Sequence, residues 1–258
     1  MDAVLGRRIE DASLRAWPAL ESEVLDGWEL RSAGGFTKRA NSVQPFSSST
    51  RSISEKVEEC EAWYEARGMP AIFRLTPFAD PELDSLLDQW AYEIIEPTDV
   101  LFLRLPASMT RVPDVELIEL ELQDWLQSYG ALRGVSRRSL PSMRAILEAC
   151  RQDRFRGALC SIRSSEQVGC GLAVADQELV GLFDLVTAQR HRRRGYGAAL
   201  VAGLLDWGLA QGASYAYLQV ARSNTPAWGL YRHLGFAPAY EYWYRVRARL
   251  DAGFQGAP

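Results

Sequence analysis

The sequence predicts a mixed α/β (α+β) protein with two domains, each a central mixed β-sheet flanked by helices. Three observations lead to this prediction. At 258 residues the chain is long for one ordinary domain and suits two compact ones. Its C-terminal half alternates short apolar strands with amphipathic helices. Part of that half also has a counterpart in the N-terminal half at a constant separation.

The elements of the C-terminal half follow from apolar periodicity and turn residues. Apolar runs separated by short polar turns predict strands. One helix begins at Gly195 and stops at Gly212, and a second has Asn224 or Thr225 as its N-cap. The predicted strands are 115–119, 157–164, 168–176, 179–187, 214–220 and 241–248, and the predicted helices are 121–131, 138–150, 195–212 and 226–234.

The N-terminal half repeats part of this pattern. Residues 62–76 align with 206–220, and the alignment continues to residue 92 without a gap. A chance match is the alternative, because helix, glycine, strand and helix often follow one another in this order. The repeat predicts domains at 1–110 and 111–258. The matched pairs, each 144 positions apart, are Trp63 with Trp207, Ala66 with Ala210, Gly68 with Gly212, Leu86 with Leu230, and Tyr92 with Phe236.

Composition and charge disfavour two classes of protein. The chain is 47% hydrophobic and 24% charged, which is typical of a soluble globular protein. Its net charge of −4 argues against a general nucleic-acid binder. The start of the chain has no apolar run of the secretory type, and the apolar segment 198–210 is too short to span a membrane. We therefore expect a cytoplasmic protein that binds neither nucleic acid nor membrane.

Histidine and cysteine usage argues against metal and hydrolase chemistry. The chain has two histidines and four cysteines, and no cysteine lies in a C-x-x-C pair. No G-x-S-x-G motif is present, so a serine hydrolase is disfavoured. We expect buried reduced thiols and no metal.

The segment QRHRRRGYGAALV at 189–201 places four arginines directly before a helix. Glycine lets the backbone approach a ligand closely, and the first N–H groups of a helix have no internal partner. Arginine adds charge and forked donors that suit phosphate oxygens. The segment therefore predicts a site for an anion such as a pyrophosphate. A solvated basic turn is the alternative, and for Arg190 and His191 it is the preferred interpretation.

Two other phosphate-binding motifs do not fit this segment. A P-loop requires lysine and serine or threonine after its glycines, whereas alanine follows Gly197 here. The dinucleotide-binding fingerprint requires three glycines and an acidic residue on the next strand, and 214–220 has no acidic residue.

The stretch 179–247 resembles the GNAT superfamily of acetyl-CoA-dependent N-acetyltransferases. The family motif Gln/Arg-x-x-Gly-x-Gly/Ala is met by Arg192, Gly195 and Gly197. A second signature, NTPAWGLYRHLGF, begins at Asn224. As a whole domain the resemblance covers roughly 115–248, and the first half resembles a degenerate copy. Opposite Arg192, Gly195, Gly197 and Tyr231 that copy has Ser48, Arg51, Ile53 and Leu87.

The resemblance implies a role for each matching residue. Tyr231 matches the general acid that protonates the leaving thiolate, although packing of an aromatic residue is the alternative without the motif. Asn224 would contact pantetheine. The backbone of Leu185, Val186 and Thr187 would pair with the pantetheine arm, and that of Arg192, Arg193, Arg194, Gly195, Tyr196, Gly197 and Ala198 would hold the pyrophosphate.

The attacking amine needs a base or a path of water molecules. Asp184, on the strand before the arginines, is the candidate base, and an ordinary solvated or paired carboxylate is the alternative. Lys38 and Arg39 would meet an acidic acceptor, although a solvated strand end is the preferred interpretation.

The resemblance implies acetyl-CoA as co-substrate and an N-acetyltransferase that acts on a small-molecule or peptide amine. A non-catalytic acyl-CoA-binding module and an acyltransferase with another acyl donor remain alternatives. The sequence leaves the acceptor, and the choice between monomer and homodimer, open.

Overall fold

A computed structural model describes residues 3–46, 50–105, 115–136, 139–150, 155–161 and 166–247, with the segment 155–161 described by its backbone. The chain divides into two compact units, each assembled from separate stretches. We call them the C-unit and the N-unit after the half of the chain that supplies most of each. The C-unit comprises Met1–Ala16, Val100–Val220 and Asn224–Ala239, and the N-unit comprises Trp17–Asp99, Ala221–Ser223 and Tyr240–Pro258.

The described helices and strands are numbered in chain order, and two short 3-10 turns lie at Lys38–Ala40 and Gln189–His191. The first half contains α1 (Ala3–Ala16), β1 (Glu21–Leu25), β2 (Trp28–Ser32), β3 (Gln44–Pro45), α2 (Ile53–Glu65), β4 (Ile72–Leu75), α3 (Pro81–Gln89) and β5 (Tyr92–Arg104). The second half contains β6 (Glu116–Leu120), α4 (Leu122–Arg133), α5 (Leu140–Ala149), β7 (Phe155–Ser161), β8 (Gln167–Asp176), β9 (Leu179–Thr187), α6 (Tyr196–Ala210), β10 (Tyr215–Ala221), α7 (Thr225–His233) and β11 (Ala237–Arg247).

Within the described residues, the helices and strands predicted for the C-terminal half are confirmed in type and order, while residues 138, 162–164 and 248 of these predictions lie outside the described residues. β9 has the predicted bounds, and α6 is bracketed by Gly195 and Gly212 in left-handed conformations. The last strand differs, since it begins at Ala237 rather than at 241. Gly235 has φ +91° and turns the chain out of α7, so the strand can start almost at once.

The sheet of the C-unit is mostly antiparallel. β9, β8, β7 and β6 pair antiparallel in that order, and β10 joins β9 in parallel. β5 borders the other side of β10. α6 packs on this sheet, and its apolar side chains form the core with those of β8, β9 and β10. The fully buried members include Leu200, Val201, Leu204, Leu205, Ala173, Val180, Leu182, Ala216 and Leu218.

The N-unit contains a three-stranded antiparallel sheet in the order β1, β2, β3. In the same unit β4 pairs antiparallel with β11, and Val43 bridges to Phe73 in parallel. The core contains Trp28, Leu30, Val57, Tyr64, Phe73, Leu83 and Leu87. Lys56 is fully buried, and its ammonium lies 4.0 Å from the centre of the Trp28 ring.

The two halves share an order of helix, strand, helix and strand at the predicted separation. α3 spans Pro81–Gln89 and α7 spans Thr225–His233, so both their ends are 144 positions apart. α2 and α6 also coincide at this separation to within one residue at each end. The predicted domain boundary between 110 and 111 lies outside the described residues and stays a prediction.

Within the described ranges, no helix combines the length and the apolar character needed to cross a bilayer.

Two glycines inside helices test the packing of α6 on the sheet. A Cβ at Gly208 would lie 2.7 Å from Cγ1 of Val180, whereas a Cβ at Gly229 of α7 would meet nothing within 4 Å. Gly208→Ala should therefore lower the free energy of unfolding by about 1–3 kcal/mol through overpacking. Gly229→Ala should raise it by about 0.5–1 kcal/mol, because alanine favours the helix. Urea unfolding of both variants measures this, and a stabilised Gly208→Ala would contradict the packing.

Candidate functional site

The two parallel strands of the C-unit lose their pairing before they end. The ladder between β9 and β10 runs from Leu179 opposite Tyr215 to Leu182 opposite Leu218. β9 nevertheless continues to Thr187 and β10 to Ala221. The last part of β9 therefore offers backbone N–H and C=O groups on the side where β10 paired before. An open edge of this kind can take an extended ligand as an additional strand.

A β-bulge marks the point at which the two strands separate. Phe183 lies opposite Leu172 and Val186 opposite Cys170, so two β9 residues, Asp184 and Leu185, face one β8 residue. Asp184 has φ +49°, a conformation that is uncommon for any residue but glycine. The β8 residue is Gly171, where a Cβ would lie 2.6 Å from Cδ2 of Leu185. The absence of a side chain at Gly171 makes room for the bulge.

The turn after β9 is held by hydrogen bonds within the turn and by one bond to β8. The N–H of Ala188 donates to the carbonyl of Val168 at 2.9 Å, and the N–H of His191 donates to the carbonyl of Ala188 at 2.8 Å. The Nε of Arg192 donates to the carbonyl of Thr187 at 3.3 Å. Arg193 and Gly195 both have positive φ, +64° and +84°. These bonds bring the arginines to the N-terminus of α6.

The N-terminus of α6 has the properties of an anion site. Its N-cap is Gly195, which has no side chain to accept hydrogen bonds from the free N–H groups. The first turn holds no acidic residue. A Cβ at Gly195 would meet nothing within 4 Å, so the approach to these N–H groups is open. Arg192, Arg193 and Arg194 are exposed beside it. The arrangement suits a phosphate or pyrophosphate.

Three segments predicted to form the site, the end of β9, the start of α6 and α7, meet at Gly197. A Cβ at Gly197 would lie 3.4 Å from Oγ1 of Thr187 and 3.3 Å from Cδ2 of Leu230. The end of β9, the first turn of α6 and the middle of α7 are therefore in close contact. Leu230 directly precedes Tyr231, the predicted acid.

Tyr231 is nearly buried, with 7% of its surface exposed. Its ring packs edge-on against Phe236 at a centroid distance of 5.9 Å. Burial raises the pKa of Tyr231 to about 12, so the phenol keeps its proton throughout the neutral range. A protonated phenol is the form that a general acid requires.

Asn224 is the N-cap of α7. Its Oδ1 accepts from the N–H of Ala227 at 3.3 Å. Since the oxygen is used as a cap, the amide N–H groups are the part of this side chain suited to a ligand.

Asp184 is half-buried beside α4. Its Oδ1 accepts a hydrogen bond from the hydroxyl of Tyr129 at 3.4 Å. The predicted base therefore has an aromatic hydrogen-bond donor as a neighbour, and no local sequence pattern indicates this contact across 55 positions.

The interpretation of His191 as part of a solvated turn is wrong. His191 is buried, and its Nε2 lies 3.1 Å from the carboxylate of Glu166. Arg190 is exposed but pairs with the same carboxylate at 2.5 Å. The hydrogen bond from His191, assisted by Arg190, lowers the pKa of Glu166. Glu166 directly precedes β8, so this ionic cluster ties the turn to the sheet.

The corresponding helix of the N-unit is closed by the chain itself. The carboxylate of Asp26 accepts from the N–H of Thr50 at 2.9 Å, from its hydroxyl at 2.8 Å, and from the N–H of Arg51 at 3.0 Å. Thr50 and Arg51 stand 144 positions before Arg194 and Gly195. In this unit a side-chain carboxylate occupies the place of an external anion.

Two further features make α2 a poor anion site. Its N-cap Ser52 accepts from the N–H of Glu55 at 3.3 Å, and Glu55 puts a negative charge in the first turn.

The predicted counterpart of Tyr231, Leu87, is fully buried. The counterpart of Arg192, Ser48, lies outside the described residues.

Comparisons with known proteins show the family and the fold of this chain. A family model described as "Probable histone acetyltransferase Rv0428c C-terminal" matches residues 6–245. A Bacillus subtilis relative, described as the uncharacterized N-acetyltransferase YobR, is 27% identical over 246 residues, which cover 93% of this chain and 98% of the relative.

Solved structures share the fold. A GCN5-related N-acetyltransferase from Kribbella flavida superposes with a TM-score of 0.72 at 16% identity, over 95% of this chain and 96% of that one. A tandem GNAT protein from the clavulanic acid biosynthesis pathway gives a TM-score of 0.62 at 12% identity, over 92% and 86%.

The carboxylate at α2 leads to a prediction about stability. Asp26→Ala should lower the free energy of unfolding by about 3 kcal/mol, because it leaves N–H donors and the buried Lys56 without this anion. Asp80→Ala is the matched control, since Asp80 caps α3 through the N–H of Glu82 at 2.9 Å on an exposed surface. It should cost about 1 kcal/mol. Equal losses in denaturant unfolding would show that Asp26 is only an ordinary cap.

Proposed function

Because this chain belongs to the family described as the C-terminal part of the probable histone acetyltransferase Rv0428c, we propose that it is a GNAT N-acetyltransferase. It would transfer an acetyl group from acetyl-CoA to a primary amine. One observation carries the proposal: the end of β9, which no longer pairs with β10, lies beside an open helix N-terminus that is flanked by three exposed arginines. The pantetheine and pyrophosphate of coenzyme A require these two features side by side.

The end of β9 would hold the pantetheine arm. Leu185 belongs to the bulge, Val186 and Thr187 follow it, and none of the three is paired with β10. Their N–H and C=O groups suit the amides of an extended arm, as an added strand would. An N–H at this edge is also suited to polarise the acetyl carbonyl. Asn224 offers its amide N–H groups to the same arm.

The start of α6 would hold the pyrophosphate. The backbone N–H groups of 193–198 supply the donors, whereas the N–H of Arg192 already donates to the carbonyl of Gln189 at 3.3 Å. Arg192, Arg193 and Arg194 add positive charge at the rim. Glycine is needed at 195 and 197 for two reasons: a positive φ at Gly195, and close contact with Thr187 and Leu230 at Gly197.

Tyr231 and Asp184 would move the two protons of the reaction. Coenzyme A leaves more readily when its thiolate is protonated as the C–S bond breaks, and Tyr231 carries a proton at neutral pH. The attacking amine must lose a proton, and Asp184 is the carboxylate at the bulge of β9. The proposal therefore assigns Tyr231 as general acid and Asp184 as general base.

We assign the activity to the C-unit and regard the N-terminal half as a degenerate copy of the same domain. The common separation of 144 positions between helices supports a tandem origin. The internal carboxylate of Asp26 supports the loss of the second anion site. One molecule of coenzyme A per chain follows from this assignment.

The acceptor is proposed only as a class. The family description names a histone acetyltransferase for the protein to which it refers. For this chain the proposal covers a primary amine of a small molecule or a peptide, and a screen of amines with a thiol-release assay would identify it.

The coenzyme A site can be tested by two matched glycine substitutions. Gly195 and Gly212 bracket α6, both have positive φ, and a Cβ at either would meet nothing within 4 Å. Gly195→Asp should bind acetyl-CoA at least about 100-fold more weakly, because its carboxylate would face the phosphates. Gly212→Asp should bind like the wild type, with one ligand per chain.

The stability of the two glycine variants separates binding from folding. Aspartate at a helix N-terminus is favourable and at a C-terminus unfavourable, so Gly195→Asp should be the more stable variant. Isothermal titration calorimetry and thermal unfolding measure both quantities. Absence of acetyl-CoA binding by the wild type would refute the proposed transferase activity. Two ligands per chain would contradict the assignment of a single site to the C-unit.

Tyr231→Phe tests the general acid. It should lower kcat by about 100-fold or more while the Kd for coenzyme A stays unchanged, because only the proton donor is removed. Tyr217→Phe is the control, since Tyr217 is also buried in the C-unit and its hydroxyl has no hydrogen-bond partner among the described residues. Unchanged turnover in Tyr231→Phe would exclude this role.

A further inference from the structure

Two aromatic residues of α4 lie against the bulge at which β9 leaves β10. Trp125 and Tyr129 are four residues apart and therefore share one face of the helix. Their rings are stacked, with centroids 4.8 Å apart and an interplanar angle of 13°. Both side chains are buried, at 0% and 5% exposure. The pair forms one rigid aromatic unit.

Each of the two side chains donates a hydrogen bond to a different one of the two strands that form the bulge. The indole N–H of Trp125 donates to the carbonyl of Gly171 on β8 at 3.2 Å. The hydroxyl of Tyr129 donates to Oδ1 of Asp184 on β9 at 3.4 Å. Gly171 and Asp184 are the residues that face each other across the irregular register. The stacked pair therefore contacts both strands at the irregularity itself.

The geometry of the bulge needs such support. Asp184 holds a positive φ without being glycine, which costs free energy that the surroundings must offset. The irregular register interrupts only the β9 side of the ladder at Gly171, which stays paired with Ala158 of β7, and its carbonyl accepts a further donor. Trp125 supplies that donor. Tyr129 contacts the strained residue.

We propose that Trp125 and Tyr129 are positioning residues for the transferase reaction. They act as an aromatic brace that keeps β9 bulged and its end free of β10. This inference rests on the proposed function, and it adds two residues outside both family signatures. Neither residue need touch coenzyme A, because both act through β8 and β9.

The two members of the brace have separable roles. Trp125 fixes the backbone of the bulge through Gly171 and so prepares the edge at 185–187 for the pantetheine arm. Tyr129 donates to the carboxylate of Asp184 and so orients the proposed base. Loss of the first bond should weaken coenzyme A binding, whereas loss of the second should slow turnover.

Phenylalanine substitutions separate this brace from ordinary packing. Trp125→Phe and Tyr129→Phe keep an aromatic ring and the stack but remove one donor each. If the two rings contribute only to core packing, each variant should lose some stability, while coenzyme A binding and turnover should not change. The matched controls are Trp207→Phe in α6 and Tyr217→Phe in β10, which alter the same residue types in the same unit.

The first readout needs no ligand. Amide hydrogen exchange of Leu185, Val186 and Thr187 should become about tenfold faster in Trp125→Phe, because local opening of the bulge becomes easier. It should not change in Trp207→Phe. Equal exchange rates in Trp125→Phe and the wild type would overturn the role of Trp125.

The second readout separates the effect of each variant on coenzyme A binding from its effect on turnover. The Kd for coenzyme A should rise about tenfold in Trp125→Phe and stay unchanged in Tyr129→Phe. The kcat should fall about tenfold in Tyr129→Phe and stay unchanged in Tyr217→Phe. A Tyr129→Phe variant with wild-type kcat would overturn the role of Tyr129. Absence of coenzyme A binding by the wild type would instead refute the proposed function, while the exchange measurement would still decide on Trp125.

Discussion

The end of hydrogen bonding between β9 and β10 is the constraint on which the site depends. Two parallel strands that stayed paired would leave no backbone groups for a ligand. Here the ladder stops at Leu182 and Leu218, and the bulge at Asp184 follows directly. The turn that carries the arginines to the start of α6 begins at the end of the same strand. An edge for amides and a helix terminus for phosphates are therefore adjacent along the chain.

The two units show how one arrangement of elements can carry or lose an anion site. In the C-unit the start of α6 is capped by glycine and left open. In the N-unit Asp26 binds the N–H groups of Thr50 and Arg51, directly before the N-cap of α2, and also neutralises the buried Lys56. Free N–H groups and the helix dipole favour a negative partner at the start of either helix. The difference lies in whether that partner belongs to the chain.

Local patterns could be predicted from the sequence, and contacts between distant segments could not. The bounds of β9 and the glycines that bracket α6 follow from apolar periodicity and backbone preference, so they were predictable. The bulge could not be predicted, because a glycine usually marks a positive φ in a sequence and position 184 is an aspartate. The burial of His191 depends on Glu166, which is distant in sequence. The brace had only a weak signal, a tryptophan and a tyrosine four positions apart in a predicted helix.

Hydrogen exchange of the full chain with and without coenzyme A tests the central claim most directly, since it locates the bound ligand on the backbone. We expect protection of the amides at 185–187 and 193–198 and no change at 50–55, because only the first two segments are open to a ligand. Protection at 50–55, or none at 193–198, would contradict the assignment of a single coenzyme A site to the C-unit.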